Sequence, residues 1–232
     1  DILWKRNADT WLSAEIAESE GPGFARTLSL TGGLDLDPDS PTAGVKGLRA
    51  RGLHVEGRLD LAEIGGAGYL SGFVDRRDEG FTSPDWNVTV GQRSAGLDGR
   101  IAVNTKTALT FGATRFRDDA GKRDDHARIG IDTMLHRQWQ LEAEIARRDR
   151  TNPASPTEGE NGDSTDAAAR LTWHRGDDLS AWIFGQANLS RSGDLLKDNR
   201  IGLGAEGAVT DRLRALAEVY AQSDGERAFV DA

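Results

Sequence analysis

The four histidines, His54, His126, His136 and His174, are the first residues to weigh for chemistry. No two of them stand at a His-x-x-x-His spacing, so a zinc site is not expected. Cysteine is absent, which excludes thiolate ligands and a disulfide framework. Asp124-Asp125-His126 sets two carboxylates beside an imidazole, but in a stretch that reads as a polar loop, where solvation alone accounts for it. Gly202-Leu203-Gly204-Ala205-Glu206-Gly207 has the letters of a dinucleotide-binding loop. Such a loop must follow a strand and open a helix, whereas these glycines fall inside an alternating segment. Asp35-Leu36-Asp37-Pro38-Asp39 lacks the glycine and distal glutamate of a calcium-binding EF-hand loop. No Gly-x-Ser-x-Gly occurs. The expectation is a protein without catalytic, cofactor-binding or metal-ligating residues.

The elements that would position any site have a period of two. Trp139, Leu141, Ala143 and Ile145 share one face of a strand whose other face carries Gln140, Glu142 and Glu144. Ala127, Ile129, Ile131, Thr133 and Leu135 alternate in the same way just before a turn at His136-Arg137. The pair reads as an antiparallel hairpin. The module recurs at 53–74, 97–113, 167–189 and 201–221, with a first hairpin read as Trp11–Glu18, a Gly21-Pro22-Gly23 turn and Ala25–Leu36. Short turns are expected near residues 22, 65, 105, 137, 176 and 211. Residues 212–222 are rich in helix formers, yet a helix would scatter Leu213, Ala215, Ala217, Val219 and Ala221 around its axis, so a strand is expected.

The remaining connections, Asp37–Gly47, Arg76–Asn87, Asp118–Asp125, Asp149–Thr165 and Ser192–Asn199, are longer and rich in Asp, Gly, Pro, Ser and Asn. Short turns alternating with long polar loops are what a transmembrane barrel requires. The fold expected is all-β: an antiparallel up-and-down meander forming a transmembrane β-barrel of about 12 strands, or part of a larger one. It is read as a single domain over residues 1–232, a fragment of a longer chain, with residues 1–46 the least defined.

The polar face carries charge in mid-strand: Arg58, Asp60, Asp98, Arg100, Arg128, Asp132, Glu142, Glu144, Arg170, Glu206, Arg214 and Glu218. In a barrel these face the lumen, where opposite charges on neighbouring strands can pair. Trp139 follows one short turn and Trp173 precedes another, which places both indoles at one rim as interface aromatics. The composition agrees with a strand-built membrane protein and excludes a helical one. No apolar run approaches the ~18 residues of a membrane helix. With 29 basic and 38 acidic residues and a formal charge of -9, a nucleic-acid partner is not expected.

The hairpin Arg200-Ile201-Gly202-Leu203-Gly204-Ala205-Glu206-Gly207-Ala208-Val209-Thr210-Asp211-Arg212-Leu213 resembles those of Gram-negative outer-membrane β-barrels, and residues 47–227 resemble the barrel portions of large proteobacterial surface proteins. The resemblance implies an outer-membrane location, with membrane lipid and other parts of a larger protein or complex as partners. It implies a channel or a membrane anchor with no chemistry of its own, an outer-membrane hydrolase being the minor alternative. Such barrels usually end in an aromatic residue; here Phe229 precedes Val230-Asp231-Ala232. The rival reading is a soluble or surface-exposed antiparallel β-domain that binds a partner through its long acidic loops.

Overall fold

The structure, a computed structural model, describes residues 1–21, 48–83, 86–155, 159–176, 178–197, 199–210, 213–222 and 225–231, with Gly21, Leu48, Trp86, Asn87 and 225–231 described by backbone alone. The strands are β1 (Ile2–Lys5), β2 (Trp11–Gly21), β3 (Leu48–Asp60), β4 (Gly68–Arg77), β5 (Thr82–Ser83), β6 (Trp86–Asn87), β7 (Gln92–Ala102), β8 (Thr107–Asp118), β9 (Arg123–His136), β10 (Trp139–Thr151), β11 (Gly162–Arg175), β12 (Leu179–Arg191), β13 (Arg200–Thr210), β14 (Leu213–Gln222) and β15 (Gly225–Asp231). All except β5 and β6 form one 13-stranded sheet in chain order, and every ladder is antiparallel. The alternating segments are therefore an all-β up-and-down meander. Residues 213–222 are a strand, because only the two-residue period gives that segment one apolar face. No ladder joins β1 to β15 among the described residues, so the ring is not closed.

The sheet curls with its polar face inside. Arg100 of β7 and Glu218 of β14, seven steps apart in the sheet order, line the same cavity of about 420 Å³. A flat sheet at ~4.8 Å per strand would hold them roughly 34 Å apart. Among the described residues, strands make substantial contact only with their sheet neighbours, and no second layer covers the apolar face. That face is the more exposed one: Ile183 is 59%, Leu203 57% and Ile145 51% accessible. Glu142, Glu144 and Glu206, on the other face, are half-buried.

The two ends differ, though less cleanly than loop composition suggests. At one end, among the described residues, lie the connections 6–10, 61–67, 103–106 and 137–138, with residues 176 and 178 between β11 and β12. At 61–67 a single 3₁₀ turn, Leu61–Ile64, is capped by the Asp60 carboxylate accepting from Ala62 N at 2.9 Å. Gly65 closes that turn at φ 80°. Gly68, at φ 118°, has no room for a side chain, since a Cβ would lie 1.9 Å from Arg100 O. At the other end, among the described residues, lie 78–83, 86–91, 119–122, 152–155, 159–161 and 192–197.

The turn expected near residue 22 lies outside the described residues; Gly21 stands opposite Leu48 at the long-loop end, and β2 is paired on its two edges with β1 and β3. The strand expected at Ala25–Leu36 and the Asp35–Asp39 run lie outside the described residues. The loop expected at Asp118–Asp125 is only 119–122. Asp124-Asp125-His126 therefore stands inside β9. Cross-strand pairs with Arg115 and Arg148 offset the poor strand propensity of its aspartates.

The buried apolar residues are few and lie mostly in connections. Phe81 and Val88 of the 78–91 loop pack with Ala50 of β3 and Ala17 of β2, on the polar face. Gly52 makes room for this, as a Cβ there would stand 2.9 Å from Phe81 Cζ. Thr82 N donates to Ser19 Oγ at 3.1 Å, tying the inward fold to β2.

Candidate functional site

The candidate site is the polar face and the rim above it. Register places all the charged candidates there. Arg58, Ser71, Asp98, Gly112 and Arg128 form one cross-strand row; Asp132, Glu142, Arg170, Phe184, Gly202 and Tyr220 form another. Arg100 and Glu144 share a third row, through Thr110 and Gly130. Glu206 lies across from Ser180 and Leu216, Glu218 from Gly204, and Arg214 from Ala208. Asp60 is the outlying member: it sits at the short-turn end, where its carboxylate is the cap of the 61–64 turn.

Opposite charges pair across these rows. Arg170 holds Glu142 at 2.5 Å, Arg100 holds Asp132 at 2.7 Å, Arg214 holds Glu206 at 3.1 Å and Arg128 holds Glu144 at 3.4 Å. Asp132 also accepts from Gln140 Nε2 at 2.7 Å, and Gln140 Oε1 lies 3.0 Å from His174 Nε2. Ser71 Oγ donates to Asp98 at 2.8 Å, and the Arg58 guanidinium stands 3.8 Å from the Tyr69 ring centre. The result is a ladder of paired charges running across the strands, with no carboxylate cluster and no imidazole set. Among the described residues no group of His, Asp and Glu could hold a metal ion.

Several aromatic side chains on this face escaped the sequence reading. Trp182, Phe184, Phe73 and Tyr220 occupy polar-face positions in β12, β4 and β14. Glycines opposite them make the space: a Cβ on Gly204 would lie 2.5 Å from the Trp182 ring, on Gly202 2.7 Å from Phe184, and on Gly96 2.3 Å from Phe73. Trp182 Nε1 reaches across Gly204 to Glu218 at 3.1 Å. The usable signal was the pairing of a glycine with an aromatic one strand away, which needs the register to be seen.

His54 stands on the polar face of β3. Its Nδ1 lies 3.2 Å from Asp75, which also accepts from Arg77 Nη2 at 2.7 Å. Ser94 stands across from Asp75 on the far side, so the row reads His54, Asp75, Ser94. A nucleophilic triad needs the imidazole between hydroxyl and carboxylate, and this order does not provide it. His136, expected in a turn, is the last residue of β9, and His174 is the penultimate residue of β11.

At the long-loop end the polar face opens into a second cavity of about 840 Å³, lined by Lys122, Asp124, His126, Arg148, Arg150 and Leu195 among others. Arg148 grips Asp124 through Nε at 2.9 Å and Nη2 at 2.5 Å, and Arg150 reaches Glu160 at 3.1 Å. The loops above it are bonded together: Asn161 N donates to Asp194 Oδ1 at 2.6 Å, and Asp194 N to Asn161 O at 2.8 Å. Gly159 N donates to Asp194 O at 2.9 Å. The rim is thus a built structure with fixed hydrogen bonds.

On the opposite, apolar face, Trp139 and Trp173 stand directly across from one another next to the short turns. With Leu171, Ala181, Ile183, Leu203 and Val219 they line a shallow apolar groove.

No family model matches this chain, and no curated protein matches it. Among solved structures, it is similar to a KdgM porin in complex with disordered oligogalacturonate, at a TM-score of 0.40 and 9% identity, over 78% of this chain and 90% of that one.

Proposed function

We propose that this chain is an outer-membrane β-barrel, or part of one, that acts as a porin-like channel and has no chemistry of its own. The observation that carries the reading is the inversion of the sheet: among the described residues its large apolar side chains face out uncovered, while its charges face one another inside the curl. A soluble protein does not leave an apolar face of that extent in water. Hydrocarbon covers it without cost, and the strands are long enough to cross. A tilted membrane strand needs about 9–11 residues, and β3 and β4 with β7 to β14 run from 10 to 14. In this reading the ion-paired polar face lines the passage and the inward-folded 78–91 loop narrows it. The long-loop end faces the cell exterior, and Trp139 and Trp173 lie at the opposite interface.

Flotation with phospholipid vesicles, followed by planar-bilayer recording, tests it. The protein should float with the vesicles, shift on unheated gels and give discrete conductance steps. Insertion without conductance would leave a membrane anchor in place of a channel. A monodisperse protein in plain buffer that ignores vesicles would overturn the membrane reading and favour the soluble β-domain.

A further inference from the structure

On β4 and on β7 to β9, where the apolar band ends at the long-loop side, the outward face changes to arginine. Arg76 follows Val74 on β4, Arg93 precedes Ala95 on β7, Arg115 and Arg117 follow Ala113 on β8, and Arg123 precedes Asp125 and Ala127 on β9. Register makes four of them a single row: Arg76 faces Arg93, Arg93 faces Arg117, and Arg117 faces Arg123. Like charges directly opposite one another on neighbouring strands destabilise a sheet. Nearby carboxylates answer only part of this charge. Asp78 holds Arg76 at 3.2 Å, Asp119 holds Arg93 at 3.2 Å, and Asp125 is shared by Arg115 at 3.3 Å and Arg117 at 2.5 Å. The Arg76 and Arg93 side chains of the row are 64% and 69% accessible and the adjacent Arg115 70%, while Arg117, bridged to Asp125, keeps 30%. Arg76 and Arg93 also line an open cleft of about 560 Å³, together with Arg77, Asp78, Glu79 and Asp119.

We infer that this arginine row is a binding surface for the phosphate groups of a phosphorylated glycolipid, or other phosphate-bearing lipid, in the leaflet at the long-loop end. The inference rests on the membrane reading and adds a partner to it. Three features point to that occupant. The row lies at the level where an apolar band gives way to headgroups. Its guanidinium forks match phosphate oxygens two at a time. A row of anions along it would relieve the mutual repulsion of four aligned arginines. A lone soluble anion would neutralise one position; a headgroup layer presents charge along the whole row.

The test uses the full chain reconstituted in nanodiscs of zwitterionic lipid doped with a bis-phosphorylated glycolipid or with its dephosphorylated form. Co-purified glycolipid per protein is the readout. Wild type should retain the phosphorylated form at least tenfold over the dephosphorylated one, and the preference should fall as salt is raised. The R76Q/R93Q/R117Q/R123Q variant should lose it, and the corresponding lysine variant should keep part of it. Inorganic phosphate at equal phosphorus should not compete. Equal retention of the two lipids by wild type would overturn the inference, as would a preference insensitive to salt or full competition by inorganic phosphate. Failure to enter nanodiscs of any composition is a separate result: it removes the membrane reading, and this inference with it.

Discussion

Glycine at 204 is a sharper determinant of the polar face than any of its charges. A Cβ there meets the Trp182 ring at 2.5 Å, so Gly204→Ala must displace the indole and break its hydrogen bond to Glu218. Overpacking of this kind costs about 1–3 kcal/mol. The expected outcome is an altered Trp182 emission and a lower denaturant midpoint. At Gly185, on the apolar face, the nearest atom is 4.0 Å from a built Cβ, and Gly185→Ala should leave the midpoint unchanged. The ion pairs are individually weaker. Arg170 and Glu142 keep 50% and 34% side-chain exposure, so Arg170→Ala should lower the unfolding free energy by no more than about 1 kcal/mol, readable in the same titration. The charged positions were legible in the sequence because alternation alone assigns a face. The aromatic residues beside them were not, because a Trp at an even position reads as an exception until the register shows the glycine that receives it.

Strand faces decide what each element tolerates. Ile183 lies mid-strand on the exposed apolar face of β12, and Ser180 of the same strand lies on the polar face across from Glu206. In a bilayer Ile183→Arg should cost about 2–4 kcal/mol and Ser180→Arg close to nothing. Folding titrations into vesicles measure both, and similar penalties at the two sites would contradict a lipid-facing apolar side. At this scale hairpin positions could be read directly, since each is marked by two alternating runs and a polar turn. Strand ends could not. Arg115, Arg117, Asp124, Asp125 and Arg148 look like loop residues by composition, yet they belong to β8, β9 and β10 because cross-strand pairs stabilise charge inside a ladder. The turn and second strand of the first expected hairpin lie outside the described residues. A Gly-Pro-Gly signal is local, and it carries no information about the strands that β2 meets, which are β1 and β3.

For the molecule as a whole, the paired charges and the inward loop set the terms of any passage. If the polar face lines a conducting lumen, replacing both Arg100 and Arg170 by Glu should shift the reversal potential toward cation selectivity, because Asp132 and Glu142 lose their partners. Phe81→Ala should raise unitary conductance, since Phe81 anchors the 78–91 loop against Ala50 and Val88 inside the curl. Unchanged selectivity and conductance in these variants would mean that ions do not pass along this face.

The two-residue period by itself determined the strand content, the antiparallel order and the face on which each charge lies, because side-chain direction along a strand is a local property. The decisions left to the tertiary structure were those that depend on partners distant in the chain. They include which face is concave, which arginines meet in one row, where Phe81 folds inward, and that β1 and β15 do not pair. Curvature and register follow from the sum of many strand contacts, and no short stretch of sequence contains that sum.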